Sequence, residues 1–116
     1  MAIIEAFSNQ FVSSSLPTLD GEERIVESAI RGEASAFGLL YDFYQPRIYR
    51  FVFLKVSRRE EAEDLTHQVF LSAWQNIQKY RARGFPFGSY LYKIARNQVI
   101  DYYRTRKQEV ALDEVG

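Results

Sequence analysis

Cysteine is absent from the 116 residues, which removes a disulfide framework and any thiolate metal site, and nothing in the chain asks for an oxidising compartment. Histidine occurs once, at His67, with no second ligand or nucleophile at useful spacing, so an exposed helical histidine accounts for it. No stretch alternates apolar and polar residues with a period of two, and strands are therefore not expected. No apolar run approaches the ~20 residues of a membrane span. Residues 1–19 lack a basic lead and carry Glu5, unlike a secretory leader. A glycine-rich phosphate loop between strand and helix is also missing, so nucleotide hydrolysis has no support. Glu60, Glu61, Glu63 and Asp64 do cluster, but the first turn of a helix attracts acids through its dipole without any metal. These gaps leave catalysis, metal and cofactor without candidates. A soluble, cytoplasmic binding protein with no direct membrane insertion is expected.

What is present is an apolar fraction of 47% and an aromatic fraction of 16%, enough for one folded core in a chain of single-domain length. Ser13–Ser15 with Pro17 separates a first segment from the rest. In that segment Ile3, Ile4, Phe7 and Phe11 fall at helical spacing, predicting either a short docking helix or a flexible extension over residues 1–19. Asp20 with Glu23 reads as a capping box opening a first helix, whose apolar face is Ile25, Val26, Ala29 and Ile30 and whose end is Gly32. Phe37, Leu40, Tyr41, Tyr44, Ile48, Phe51 and Val52 keep helical phase across Pro46, which predicts one long helix, with a break near Gln45 as the alternative. Ser57 with Glu60 reads as a second capping box for a third helix, with a core stripe of Ala62, Leu65, Val69, Ala73, Trp74 and Ile77. Two glycines and Pro86 predict a loop over 81–88. Ser89 is the expected cap of a fourth helix with Leu91, Ile94, Ala95, Val99 and Tyr102 inward, running to about Lys107. The expected fold is all-α, a compact bundle of about four helices.

The net charge of zero conceals an uneven distribution. Residues 79–107 hold eight Lys or Arg against Asp101 alone, interleaved with seven aromatics: Tyr80, Phe85, Phe87, Tyr90, Tyr92, Tyr102 and Tyr103. Cations track a phosphate backbone and exposed rings stack on bases, the combination that single-stranded nucleic acid binding requires. A basic solvated helix and rings that cap the core are the plain alternative. On the fourth helix Tyr90, Lys93, Asn97 and Arg104 recur at spacings of three, four and seven, which puts a ring, two cations and an amide on one face.

The run Glu60-Glu61-Ala62-Glu63-Asp64-Leu65-Thr66-His67-Gln68-Val69-Phe70, then Ala73-Trp74, then Tyr90-Leu91-Tyr92-Lys93-Ile94-Ala95-Arg96-Asn97, resembles the second region of extracytoplasmic-function sigma factors. Upstream, Arg31-Gly32-Glu33 through Ala36-Phe37, with Leu40-Tyr41 and Tyr44, is similar to that family's opening helices, so the resemblance spans residues 22–107. The family usually has Gln-Glu where this chain has His67-Gln68, and most often Trp where it has Tyr90.

The resemblance implies a non-enzymatic domain that docks on core RNA polymerase, binds the non-template strand of the minus-ten promoter element and starts transcription. Docking on the clamp helices of the largest polymerase subunit would fall on Asp64, Gln68 and their neighbours Glu61, Leu65, His67 and Leu71. The loop Tyr80–Phe87, with Arg81, Arg83 and Phe85, would capture a flipped base. At the start of the fourth helix Ser89 and Tyr90 join this set, Lys93 and Asn97 would face the DNA, and Arg96 and Arg104 would hold phosphates. An anti-sigma factor is an implied partner, able to hold the protein at the membrane, and a module that mainly binds such an inhibitor is the competing reading. Residues 108–116 read as an acidic linker toward a minus-thirty-five-binding domain that this chain lacks.

Overall fold

The computed structural model describes residues 16–115; residues 1–15, which carry the expected short apolar helix and the serine linker, and Gly116 lie outside them. Four helices follow one another: α1 (Glu22–Ile30), α2 (Ala34–Val56), α3 (Arg59–Gln75) and α4 (Phe87–Val115), with a 3-10 turn at Ile77–Lys79 between the last two. Among the described residues there is no strand. The all-α bundle expected from periodicity is what forms.

Helix α2 is the central rod and packs against α1, α3 and α4 alike. Leu40, Tyr44, Ile48, Val52 and Val56 recur every fourth residue and are all buried, the spacing that keeps one stripe inward. Pro46 lies inside the helix without breaking it. It deprives the Asp42 carbonyl of its partner, but both residues are exposed and water can serve the carbonyl. Helix α3 contributes Ala62, Val69, Phe70 and Ala73 to the core. Its stripe is rotated slightly from the expected one: Leu65 and Trp74 are half-buried, while Thr66 is buried and donates its hydroxyl to the Ala62 carbonyl at 2.7 Å. In α4 Phe87, Leu91, Ala95 and Val99 are buried. The helix continues to Val115, past the expected end near Lys107, and its residues 103–113 are all exposed.

Helix ends depart most from expectation. Gly32 does end α1, at φ 95°, and the Gly32 and Glu33 amides donate to the Ala29 and Ser28 carbonyls, a Schellman motif. None of the three expected side-chain caps forms. Gly21 in left-handed conformation, and not Asp20, precedes α1, with no side-chain cap. Ser57 takes a left-handed φ of 59° to finish α2, which leaves Arg58 to start α3 uncapped. Helix α4 starts at Phe87 with Gly88 inside it, so the loop ends at Pro86, and the Ser89 hydroxyl finds no partner. The position of Ser89, already inside the helix, rules out its capping role.

Candidate nucleic-acid interface

The segment between the 3-10 turn and α4 is short and sharply shaped. Arg83 and Gly84 both have positive φ, 51° and 83°, and the Phe85 amide donates to the Ala82 carbonyl at 3.0 Å. Two consecutive positive φ values closed by that bond describe a type I′ turn. Glycine adopts this backbone freely, whereas Arg83 bears the mild strain of a left-handed side chain. The turn throws Phe85 outward, where it is 50% exposed. Two residues later the chain has reversed, and Phe87 is only 1% exposed, with its ring 5.2 Å from Tyr80 and 5.5 Å from Tyr90. Phe87, expected among the base-contacting rings, is therefore a core residue. Its burial holds the aromatic wall together.

Beside this turn lies a concavity of about 800 Å³. Six cations line it, Lys55, Lys79, Arg81, Arg83, Lys93 and Arg96, and no acid does. The rings on its walls are Phe85, half-exposed, Tyr90 and Tyr92, partly buried, and Phe51 and Tyr80, which belong to the buried core. Tyr80, expected among the strand-contacting residues, is therefore chiefly a packing residue. The ion pairs among the described residues lie elsewhere and leave Lys79, Arg81, Arg83, Lys93 and Arg96 without a carboxylate. Arg81 is held in place by donating to the Gln78 and Tyr80 carbonyls at 3.1 and 2.7 Å, contacts that orient its charge without neutralising it. Burial pushes the Tyr80 phenol up to about 12, with the Glu22 carboxylate and Tyr90 adding to it. Burial also raises Tyr90 and Tyr92, the latter against the opposing field of Arg47. At neutral pH these phenols carry no charge to repel a phosphate. The site can attract a polyanion and offer ring faces at once.

The expected strand-contacting residues divide accordingly. Tyr80, Arg81, Arg83, Phe85, Ser89, Tyr90, Lys93 and Arg96 come together around the concavity. Asn97 is exposed one turn beyond Lys93 and does not line it. Arg104 lies nearly two turns further on, paired with Asp101 at 3.4 Å. Sequence reasoning missed Phe51 and Lys55 from the end of α2, Lys79, and Tyr92. Only the basic and aromatic character of residues 79–107 hinted at Lys79 and Tyr92. Nothing local connects Phe51 and Lys55 to a loop some 30 residues later.

On the opposite side of the question, α3 presents Asp64, His67, Gln68 and Leu71 to solvent, while Glu61 and Leu65 are half-buried. Spacings of three and four set 61, 64, 65, 68 and 71 along one face. Arg58 pairs with Glu61 at 3.6 Å and Arg59 with Glu63 at 3.7 Å, while Glu60 and Asp64 enter no ion pair among the described residues, so the charge there is mixed and net acidic. Among the described residues no cluster of His, Cys, Asp or Glu suits a metal ion, and no helix is long and apolar enough to cross a membrane.

Residues 40–109 match the family model of Sigma-70 region 2. The chain is 42% identical over 83 residues to the ECF RNA polymerase sigma factor BldN of Streptomyces coelicolor, covering 72% of this chain and 31% of that protein. It is 31% identical over 88 residues to the ECF RNA polymerase sigma factor SigW of Bacillus subtilis, covering 76% of this chain and 46% of that one. A chain in the solved structure of an RsbN–BldN complex aligns with a TM-score of 0.63 at 42% identity, over 69% of this chain and 58% of that one. The chain thus spans less than half the length of these curated relatives.

Proposed function

This chain belongs to the Sigma-70 region 2 family, and we propose on that premise that it is the promoter-opening domain of an extracytoplasmic-function sigma factor. It acts in the bacterial cytoplasm by binding, with no catalysis of its own. The polar face of α3, with Glu61, Asp64, Leu65, His67, Gln68 and Leu71, docks on the clamp helices of the largest subunit of core RNA polymerase. The concavity between the turn and α4 takes the non-template strand of the minus-ten element with one base extruded. Residues 20–107 are the working domain, and 108–116 lead toward a domain that reads the minus-thirty-five element.

One observation carries this reading: cations and uncharged rings line a single concavity from which acids are excluded. Extruding a base costs a few kcal/mol, and without nucleotide hydrolysis that cost is met only by stacking, edge hydrogen bonds and phosphate contacts. Phe85 supplies an available ring, Asn97 an amide that donates and accepts, and Arg81, Arg83, Lys93 and Arg96 the charge. A second reading has support of its own, since a similar solved chain comes from a complex of BldN with another protein, RsbN. Here an inhibitory protein, an anti-sigma factor, covers the same surfaces and holds the domain away from polymerase.

The test is binding of core polymerase assembled with this chain to promoters that are duplex or pre-melted across the minus-ten element, with single non-template bases varied. The pre-melted form is expected to bind at least about tenfold more tightly, because the unstacking cost is already met. Asn97→Ala is expected to change which base is preferred. Equal binding of duplex and pre-melted promoters would leave only the inhibitor-binding role.

A further inference from the structure

The start of α4 poses a problem that its own sequence does not solve. A helix begins with amides that have no partner inside it. Here Pro86 has no N–H, Phe87 supplies the first free amide, and Ser89 does not turn back to cap it. The acceptor comes from the other end of the domain: the Glu22 Oε2 atom takes the Phe87 N–H at 3.1 Å, across 65 residues of sequence. Glu22 is the first residue of α1 and only 9% exposed. Its other oxygen accepts the Tyr44 hydroxyl at 2.5 Å and the Leu19 amide at 3.1 Å.

Tyr44 completes the junction. Its ring, tied to Glu22 through the hydroxyl, lies against Gly88, the second residue of α4, so the carboxylate that takes the Phe87 amide also holds the ring on which the helix starts. The contact is close enough to need glycine, because a Cβ on residue 88 would stand 2.8 Å from Tyr44 Cε1. A buried carboxylate at a helix N-terminus is favoured by the dipole and by charge-assisted bonds. Its removal leaves the buried Phe87 amide without an acceptor and the Tyr44 hydroxyl with only the Pro17 carbonyl at 3.5 Å.

The residues so anchored are the near wall of the concavity. Pro86, Ser89 and Tyr90 line it within one turn of the capped amide, and Lys93 follows on the next turn. Phe87, whose amide is held, packs against both Tyr80 and Tyr90. Glu22 itself is not part of the lining, and it lies upstream of the residues that match the family model. We propose that Glu22 is a positioning residue for the concavity: the cap it contributes to α4, together with Tyr44, sets the register from which Tyr90 and Lys93 face the bound strand. This role rests on the reading of the concavity as the strand site.

The test uses Glu22→Gln, which keeps the size of the side chain but has one acceptor oxygen for three donors, and Tyr44→Phe, which keeps the ring and removes the hydroxyl that binds Glu22. Each full chain is assembled with core polymerase, and affinity for pre-melted promoters is compared between the preferred base and single-base changes, well below the melting temperature. Glu22→Gln is expected to narrow that discrimination by about tenfold, the scale of a lost charge-assisted bond, with Tyr44→Phe a smaller loss. Polymerase co-purification and the salt dependence of strand binding stay unchanged, since neither α3 nor the count of cations is altered. Faster amide exchange at Phe87 accompanies the change. A carboxylate that served only stability would lower the melting temperature and leave discrimination intact, and that result in a folded Glu22→Gln overturns the proposal. If Glu22→Gln does not fold, unaltered discrimination in Tyr44→Phe overturns it. A wild-type chain indifferent to pre-melting defeats the strand reading itself, which is a different outcome from wild-type discrimination that the variants retain.

Discussion

The exposed face of α3 and the concavity beside α4 are both rich in charge, but they arrange it in opposite ways. At the start of α3 each arginine has an acid three or four residues on, Arg58 with Glu61 and Arg59 with Glu63, and Glu60 and Asp64 remain as unpaired acids among the described residues. Exposed pairs of this kind add only about 0–1 kcal/mol of stability and cancel one another's field at a distance. In the concavity the cations gather without an acid, a repulsive arrangement in the free protein that becomes favourable when a polyanion enters. A mixed, net acidic face suits a protein partner, where complementary pairs confer specificity. A purely cationic one suits phosphates.

The largest expected effect separates core from surface within the concavity's own wall. Phe87→Ala is expected to cost about 3–5 kcal/mol as a buried aromatic truncation, at about 4–8 °C of melting temperature per kcal/mol for a domain of about this length. Phe85→Ala should leave thermal unfolding within about 0.5 kcal/mol of the parent while removing about 1–3 kcal/mol of affinity for a pre-melted strand. Circular dichroism melts and strand binding measured side by side check both; equal melting of the two variants would contradict the inward and outward assignment.

A smaller effect tests α3. Asp64→Arg puts an unmatched cation on the mixed face, and co-purification with core polymerase is expected to weaken by about tenfold in a chain that still folds, with strand binding by the chain alone unaffected. Undiminished co-purification would remove α3 from the docking account.

The smallest effect compares cations. Arg96→Ala is expected to reduce the slope of log affinity against log salt by about 0.7, one single-strand phosphate contact. Arg104→Ala, outside the concavity and already paired with Asp101, should change the slope by less than half as much. If the two slopes fall equally, the strand runs further along α4 than the concavity does.

The sequence by itself determined the helices, because burying one stripe demands a 3.6-residue period and the spacing of Leu40, Tyr44, Ile48 and Val52 satisfies it even across Pro46. Most of the candidate surface was legible too, since the basic and aromatic residues of 79–107 are contiguous in the chain and their likeness to a known family orders them. Only the tertiary structure decided which ring is offered and which is buried. Phe85 and Phe87 flank Pro86 symmetrically in sequence, and a type I′ turn on one side and the Tyr44–Gly88 contact on the other send them in opposite directions. Likewise Asp20, Ser57 and Ser89 are good local caps, yet none caps a helix, while Glu22 reaches the start of α4 from 65 residues away. Local pattern reports which residues prefer a helix end, but an orphan amide is satisfied by whichever acceptor the packed chain brings within 3 Å or so, and that distance exists only after folding.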